Sequence, residues 1–301
     1  MAQRRTDLAL EAKEIWEESA KETTKLSGVI AREEQRRGYA ITHVEILDES
    51  GEAALGKPRG NYITLEMPAL CRREKSDYLG AAAAVAEQIS ALLPVGDKAP
   101  VLVAGLGNRD MTSDAIGPKA IDFVFVTRHL IAGVPAHFGD FRPVSALAAG
   151  VMGDTGMESG EILKAVAQAV QPACIVAVDA LASRSVERIF TTIQISDTGI
   201  VPGSGVGNHR MALNRETMGV PVIAIGVPTV VNAATLCLDL LEKTGQRGAD
   251  PEKLLKIGAE LFVTPRDVDA LGETLSKVLG LGISLALHVD ISVEDVEMFL
   301  S

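Results

Sequence analysis

Val101-Leu102-Val103-Ala104-Gly105-Leu106-Gly107-Asn108, closed by Thr112-Ser113-Asp114-Ala115-Ile116-Gly117-Pro118, is a short apolar run that ends in glycines and leads to an acid. A second stretch has the same grammar, with Cys174-Ile175-Val176-Ala177-Val178 running straight into Asp179-Ala180-Leu181-Ala182. Apolar runs of this length, without polar alternation, are expected of strands buried on both faces, as in parallel sheets covered by helices. The carboxyl ends of such strands converge on one crevice, so Asp114 and Asp179 are expected to face a ligand there. Two carboxylates in one crevice can divide acid and base work.

Outward from these stretches the same alternation continues. Strands are predicted at Val101–Ala104, Ile175–Val178, Arg188–Ile195 and Pro221–Ile225. Helices are predicted at about Asp114–His129, Ser159–Val170, Thr229–Thr244, Pro251–Leu261 and Pro265–Leu285. Upstream, Thr6 to about Thr24 reads as a charged amphipathic helix. His43–Leu47 and Asn61–Glu66, joined by a segment with Gly51, Gly56 and Gly60, read as an antiparallel pair. An Ala-rich helix from about Lys75 to Leu93 is stopped by Pro94-Val95-Gly96. The predicted fold class is α/β, a parallel or mixed central sheet flanked by helices, with an N-terminal helix and a small antiparallel β excursion. One domain is expected over residues 8–301, in which 8–96 carry the N-terminal helix, hairpin and helix, and 97–301 the sheet core. The linker candidate is Glu242 to Pro251.

A chain of 301 residues can bury a full core. Its formal net charge of −11 argues against a nucleic-acid partner, because phosphate contacts need clustered Lys and Arg. Cys71, Cys174 and Cys237 lack Cys-x-x-Cys spacing, so neither a disulfide framework nor a zinc knuckle is expected, and a reducing cytoplasm fits best. Met1 to Asp7 carry no apolar signal region. The apolar runs are broken by Gly, Pro or charge before the roughly 20 residues that span a bilayer, so no membrane role is expected.

Several motifs invite chemistry. Gly105-Leu106-Gly107 after a strand suggests dinucleotide binding, but Asp110 stands where the third glycine belongs, and no phosphate loop exists, so no cofactor is expected. Asp114 before Ala115-Ile116-Gly117-Pro118 is alternatively a helix N-cap. Asp179 is alternatively the partner of Arg184 or Arg188. Asp197-Thr198-Gly199 matches the triplet of pepsin-like proteases without the rest of that all-β fold. Beyond it, Gly203, Gly205 and Gly207 can form a backbone wall for an extended peptide or an oxyanion, or a plain surface loop. Ser204 lacks the Gly-x-Ser-x-Gly spacing of a nucleophile. With Asn208 and His209, this loop supplies the candidate substrate contacts. His43, His129, His137 and His288 are scattered, and no His-Glu-x-x-His helix is present. A metal reading would combine Asp114, Asp179 and His209 around a divalent ion. A non-catalytic reading would leave a peptide-binding protein with structural acids.

Read together, these segments resemble the spore germination proteases. The resemblance is carried by Gly56-Lys57-Pro58-Arg59-Gly60-Asn61-Tyr62, by Gly105-Leu106-Gly107-Asn108 with Ser113-Asp114-Ala115-Ile116-Gly117-Pro118, and by Val178-Asp179-Ala180-Leu181-Ala182-Ser183-Arg184. It continues through Thr192-Ile193-Gln194-Ile195-Ser196-Asp197-Thr198-Gly199, Pro202-Gly203-Ser204-Gly205-Val206-Gly207-Asn208, and Pro221 to Val231. The resemblance implies a fold similar to that of the hydrogenase maturation proteases, a homotetramer, and an endopeptidase acting on small acid-soluble spore proteins in the forespore or spore core. It implies an aspartate mechanism with the family acids at Asp114 and Asp179, one ionised to activate water and one kept protonated by its neighbour. It also implies a precursor that loses a short N-terminal segment. Thr6-Asp7-Leu8-Ala9 looks like the processing site, which makes residues 1–7 the pro-segment and places the cut between Asp7 and Leu8. That leader is about half the family's usual length, and the stretch from Leu241 to Pro251 is much shorter than the family's insertion.

Overall fold

The computed structural model describes residues 6–19, 26–68, 70, 75–207, 210–245 and 250–300. The chain opens with α1 (Ala9–Ser19), β1 (Val29–Arg36), β2 (Tyr39–Ile46), α2 (Glu49–Leu55), β3 (Gly60–Glu66) and α3 (Lys75–Leu92). Then come β4 (Val101–Gly105), α4 (Ile116–Ala120), α5 (Arg128–Gly133), α6 (Pro135–Phe138), β5 (Val144–Ala148), α7 (Met152–Thr155), α8 (Ser159–Val170) and β6 (Cys174–Ser183). The chain ends with β7 (Thr192–Ser196), α9 (Arg215–Met218), β8 (Val222–Asn232), α10 (Ala233–Lys243), α11 (Pro251–Ile257), β9 (Phe262–Val263), α12 (Val268–Leu287) and α13 (Val293–Leu300).

One mixed sheet joins the strands in the order β1-β2-β3-β7-β8-β6-β4-β5, with β9 paired to β8. The half β8-β6-β4-β5 is parallel, and β1, β2, β3 and β7 add to it antiparallel. The apolar runs at Val101 and Cys174 are central strands of the parallel half. One face presents Val103, Val176, Val178, Ile195, Ile225 and Ile63 to α3 and α12 through Val85, Ile89, Leu275, Val278 and Leu279. Each such side chain contributes about 1.5–3 kcal/mol by leaving water. The opposite face presents Leu102, Ala104, Ile175, Ala177 and Val222 to Leu163 and Ala167 of α8 and Met218 of α9. Farther along that face, Val44, Ile46 and Tyr62 meet Ala9, Ala12 and Trp16 of α1. Helices therefore cover both faces, which is why the central strands read as unbroken apolar runs.

Among the described residues α12 is the one helix long and apolar enough to cross a membrane, and 67% of that stretch is buried within the fold. Gly280 sets how closely it approaches α4, since a Cβ there would lie 2.5 Å from the Ala120 carbonyl oxygen. It is the core helix of the α3/α12 layer.

The elements differ from the predicted ones in several places. β1 was not predicted, because Val29-Ile30-Ala31-Arg32-Glu33-Glu34-Gln35-Arg36 is almost entirely exposed and carries no buried period. It is an edge strand, and its charges suit an edge. β5 is the opposite edge and was likewise not predicted. The glycine-rich connection holds α2, capped by Asp48, whose carboxylate accepts from Ser50 and Gly51, and closed by Gly56 at φ 63°. The helix expected over 114–129 is broken. α4 ends after five residues, and the chain is extended at Val124. There Phe125 N–H donates to Ser284 Oγ and Thr127 N–H to the Val144 carbonyl. The strand expected from Arg188 begins at Thr192, and α1 begins at Ala9 rather than Thr6. β8 runs on through Thr229 to Asn232, whose side chain caps α10 by accepting from Ala234 and Thr235, so that helix starts at Ala233. Cys71, the predicted end of the first helix at Thr24, and 246–249 of the linker candidate lie outside the described residues.

Candidate active site

β6 outlasts its neighbour β4. Their last matched pair is Gly105 with Val178, so Asp179 is the first residue of β6 with no β4 residue beside it. On its other side Asp179 remains paired with Gly226 of β8. The acid is therefore not at the end of its strand, as expected, but inside a ten-residue strand at the point where the sheet narrows.

The chain leaving β4 folds back over this notch. Leu106 N–H donates to the Val178 carbonyl, and Gly107 takes φ 108°. A Cβ on Gly107 would fall 2.1 Å from the Asp114 carbonyl oxygen, so glycine is what lets the returning turn, Thr112–Asp114, close on the strand end. Gly117 performs the same service for α4, where a Cβ would meet the Leu106 and Val178 carbonyl oxygens at 2.3 and 2.4 Å. The glycines thus seat a turn rather than a pyrophosphate. Asp114 Oδ2 accepts the Asn108 N–H at 2.8 Å. Thr229 Oγ1 of β8 pins the turn by donating to the Ser113 carbonyl at 2.6 Å.

The structural alternatives for both acids fall away. The residue before α4 is Ala115, with no side-chain cap bond, so Asp114 does not cap that helix. Arg184 pairs with Glu18 at 2.9 Å, and Arg188 pairs with Glu14 at 2.7 Å and Glu11 at 3.2 Å. Neither is the partner of Asp179.

Asp179 is 4% exposed, and its Oδ1 accepts the N–H of Ala180 at 2.9 Å. Burial first, and then the charge of Asp114, raise its proton affinity well above the usual carboxylate range. Burial also raises Asp114, against the Asn108 hydrogen bond and the positive charge of Arg210, which oppose it. Arg210 lines the same cavity, of about 530 Å³, with Asp114, Asp179 and Gly203. Burial thus favours the protonated form of both carboxyls, and the positive charge of Arg210 opposes it in each.

A segment of the chain itself reaches into this cavity. Asp7 N–H donates to the Ala182 carbonyl at 2.9 Å, and the Asp7 carboxylate accepts from Ala182 N–H and Ser204 Oγ, both at 2.9 Å. Gly205 makes room for that carboxylate, since a Cβ there would lie 2.0 Å from Asp7 Oδ2. Leu8 and Ala9 are fully buried, and Ala9 N–H donates to Gln194 Oε1 at 2.7 Å. The Asp7 carbonyl oxygen receives Lys57 Nζ at 2.8 Å and Gln194 Nε2 at 3.3 Å. Lys57, Tyr62, Gln194, Ser196 and Asn214 line a second cavity of about 620 Å³, and Asp7 borders both. The side chain of Leu181 lies over Gly226 between the two cavities. Behind the segment, the fully buried Glu11 of α1 accepts from the N–H groups of Arg184 and Ser185, at 2.6 and 3.0 Å.

Of the candidate substrate contacts, Gly203, Ser204 and Gly205 border this ground. Gly207 is exposed, at φ 77°, and closes the turn Ser204–Val206 without lining either cavity. Asn208 and His209 lie outside the described residues. No three His, Cys, Asp or Glu side chains converge as a metal-ligand set among the described residues. Sequence reasoning assigned no role to Lys57, Gln194 or Arg210. The one local signal for Gln194 was an amide between Ile193 and Ile195 in a strand buried along its whole length.

A family model described as Germination protease matches residues 9–246. Among curated relatives, the germination protease of Clostridium tetani is 42% identical over 323 aligned residues, covering 99% of each chain. That of Caldanaerobacter subterraneus subsp. tengcongensis is 43% identical, covering 98% of each chain. That of Priestia megaterium is 36% identical, with 97% of this chain and 95% of the relative covered.

Proposed function

The chain belongs to the germination protease family, a family of peptidases, and from that premise we propose that it is an aspartate endopeptidase that acts through Asp114 and Asp179. The observation that carries the reading is the meeting, in one cavity, of two carboxyls of raised proton affinity and an extended segment of polypeptide. In this reading one acid of the pair is ionised and the other protonated. The ionised member takes a proton from water as its oxygen attacks the scissile carbonyl carbon. The protonated member supplies the proton that the leaving nitrogen needs, so water is divided between the two new ends. Which acid starts protonated is a property of the pair.

We propose further that the bond between Asp7 and Leu8 is the self-processing site, supported by the docking of Asp7 at the border of the acid cavity. The same contacts support small acid-soluble spore proteins as substrates, because a site that holds the Asp7 carboxylate by two donors suits chains with acidic side chains. The corresponding place of action is the cytoplasm of the forespore or spore core. A hydrogenase-maturation-protease-like fold agrees with the mixed sheet between helices. Assembly as a homotetramer agrees with the exposed apolar side chains Ile257, Leu261, Val289 and Met298.

The test is incubation of the purified protein with a small acid-soluble spore protein, read by mass spectrometry. Discrete fragments cut after acidic residues are expected, from protein dialysed against chelator as from untreated protein. An intact substrate after long incubation with processed protein would contradict the reading.

A further inference from the structure

The proposed acids account for the water and the leaving nitrogen, but not for the oxygen of the carbonyl under attack. That oxygen must take up negative charge as the tetrahedral intermediate forms, and preorganised donors aimed at it are commonly the largest single contribution to such a reaction. The Asp7 carbonyl oxygen already has two donors, Lys57 Nζ at 2.8 Å and Gln194 Nε2 at 3.3 Å. Lys57 follows the glycine that ends α2, its stem is half-buried, and burial draws its proton affinity below that of an ordinary lysine. No ion pair to Lys57 is formed within the salt-bridge distance among the described residues, and the contact shown for its ammonium is that single carbonyl oxygen.

Gln194 spans the bond that joins Asp7 to Leu8. Its Nε2 donates to the carbonyl on one side, while its Oε1 accepts from the Ala9 N–H on the other. The sheet sets this amide opposite the acid, because Gln194, Gly226 and Asp179 form one row across β7, β8 and β6 and so point to the same face. Two strand spacings, about 9–10 Å between backbones, separate Gln194 from Asp179. Gly226, between them, has no side chain, and Leu181 lies over it. In the proposed reaction a water delivered from the acid side must pass Leu181 to reach the carbonyl carbon.

We infer that Lys57 is a catalytic residue of the proposed reaction, the electrophile that, with the Gln194 amide, holds the carbonyl oxygen of the scissile bond and stabilises its developing charge. The inference rests on the reading of Asp7–Leu8 as the bond cut. In the balanced step, water oxygen bonds to the Asp7 carbonyl carbon and the carbonyl π pair moves onto the oxygen facing Lys57. One water proton passes to the ionised acid, and the protonated acid gives its own to Leu8 nitrogen as the C–N bond breaks. Lys57 keeps its protons throughout. With the oxygen held by lysine, the acid proton goes to the leaving nitrogen.

The test follows self-processing of the full chain by intact mass in wild type, Lys57→Met, Lys57→Arg and Asp179→Asn. Lys57→Met is expected to slow release of residues 1–7 by about 100-fold or more, with Lys57→Arg intermediate. The wild-type rate should fall at high pH as Lys57 loses its proton, and the residual Met rate should lack that limb. Where Lys57→Met fails to fold by circular dichroism, Lys57→Gln is read in its place. A folded Met or Gln variant that processes within about threefold of wild type, with the wild-type pH profile, overturns the inference. Processing by Asp179→Asn would instead overturn the dyad, and a wild-type cut at another bond, or none, would remove the premise.

Discussion

Asp179 is held in a place that costs the fold. Its proton affinity is raised by burial and by Asp114, so its neutral form is the one the native state favours. A carboxyl raised on folding contributes stability below its unfolded value, and that contribution is lost as pH rises through its folded value. Asp179→Asn removes the ionisation while keeping the shape. It is expected to abolish cleavage and to raise the melting temperature at pH 7 by about 2–6 °C, a gain that shrinks toward zero below about pH 4. Melting curves at the two pH values check this, and a variant less stable than wild type at pH 7 would contradict it. At the same scale, Gly205→Ala would set a methyl 2.0 Å from Asp7 Oδ2. It is expected to slow processing at least about 10-fold without loss of the folded state, measured by intact mass and far-UV circular dichroism. Both acids were legible in the sequence because each follows an apolar run that could only be a central strand. Lys57 and Gln194 were not, because what brings them to one bond is the pairing of β3, which follows Lys57, with β7, which carries Gln194, and local pattern does not encode that strand order.

Among the elements, the site depends on strands of unequal length. β6 and β8 run ten and eleven residues, while β4 stops after five, and the notch this leaves is filled by the returning turn that carries Asp114. Sequence reading stopped both long strands at their apolar halves, at Val178 and Ile225, because the acid and the glycine that follow break the pattern. The site itself therefore hid the continuation of its own strands. The edge strands β1 and β5 were invisible for the opposite reason, having too little buried surface to impose a period. α4 can seat the turn only because Gly117 lies against two backbone carbonyls that cannot yield. Gly117→Ala is expected to destabilise the protein by about 2–4 kcal/mol and to reduce cleavage, as Asp114 is displaced. Urea unfolding checks the first part. A stability change below about 0.5 kcal/mol would show that α4 does not depend on this contact.

Across the whole molecule, the two faces of the sheet divide the work. The α3/α12 face holds the larger apolar cluster, and the α1/α8 face gives way at Asp179 and Gln194 to the polar ground of the site. The far end of the α12 layer holds a different ionisable group. His288 is buried among Phe125 and Phe141, with its Nε2 3.1 Å from the Phe125 carbonyl and Arg142 nearby, and burial lowers it to about 4. A base depressed on folding gives stability that is present above its unfolded value, near 6.5, and is lost as pH falls toward 4. The wild-type melting temperature is therefore expected to drop across that window, and His288→Gln, which keeps a donor for Phe125, should flatten the slope. Identical slopes for the two proteins would assign the acid sensitivity to other groups.

The proposal that Asp114 and Asp179 cut the chain between Asp7 and Leu8 meets its most direct test in one time course of intact mass, comparing wild type with Asp179→Asn under identical conditions. The expected result is conversion of the wild type to a species that begins at Leu8, while the Asn variant keeps its full mass and its fold. Release of residues 1–7 from Asp179→Asn at the wild-type rate would contradict the mechanism.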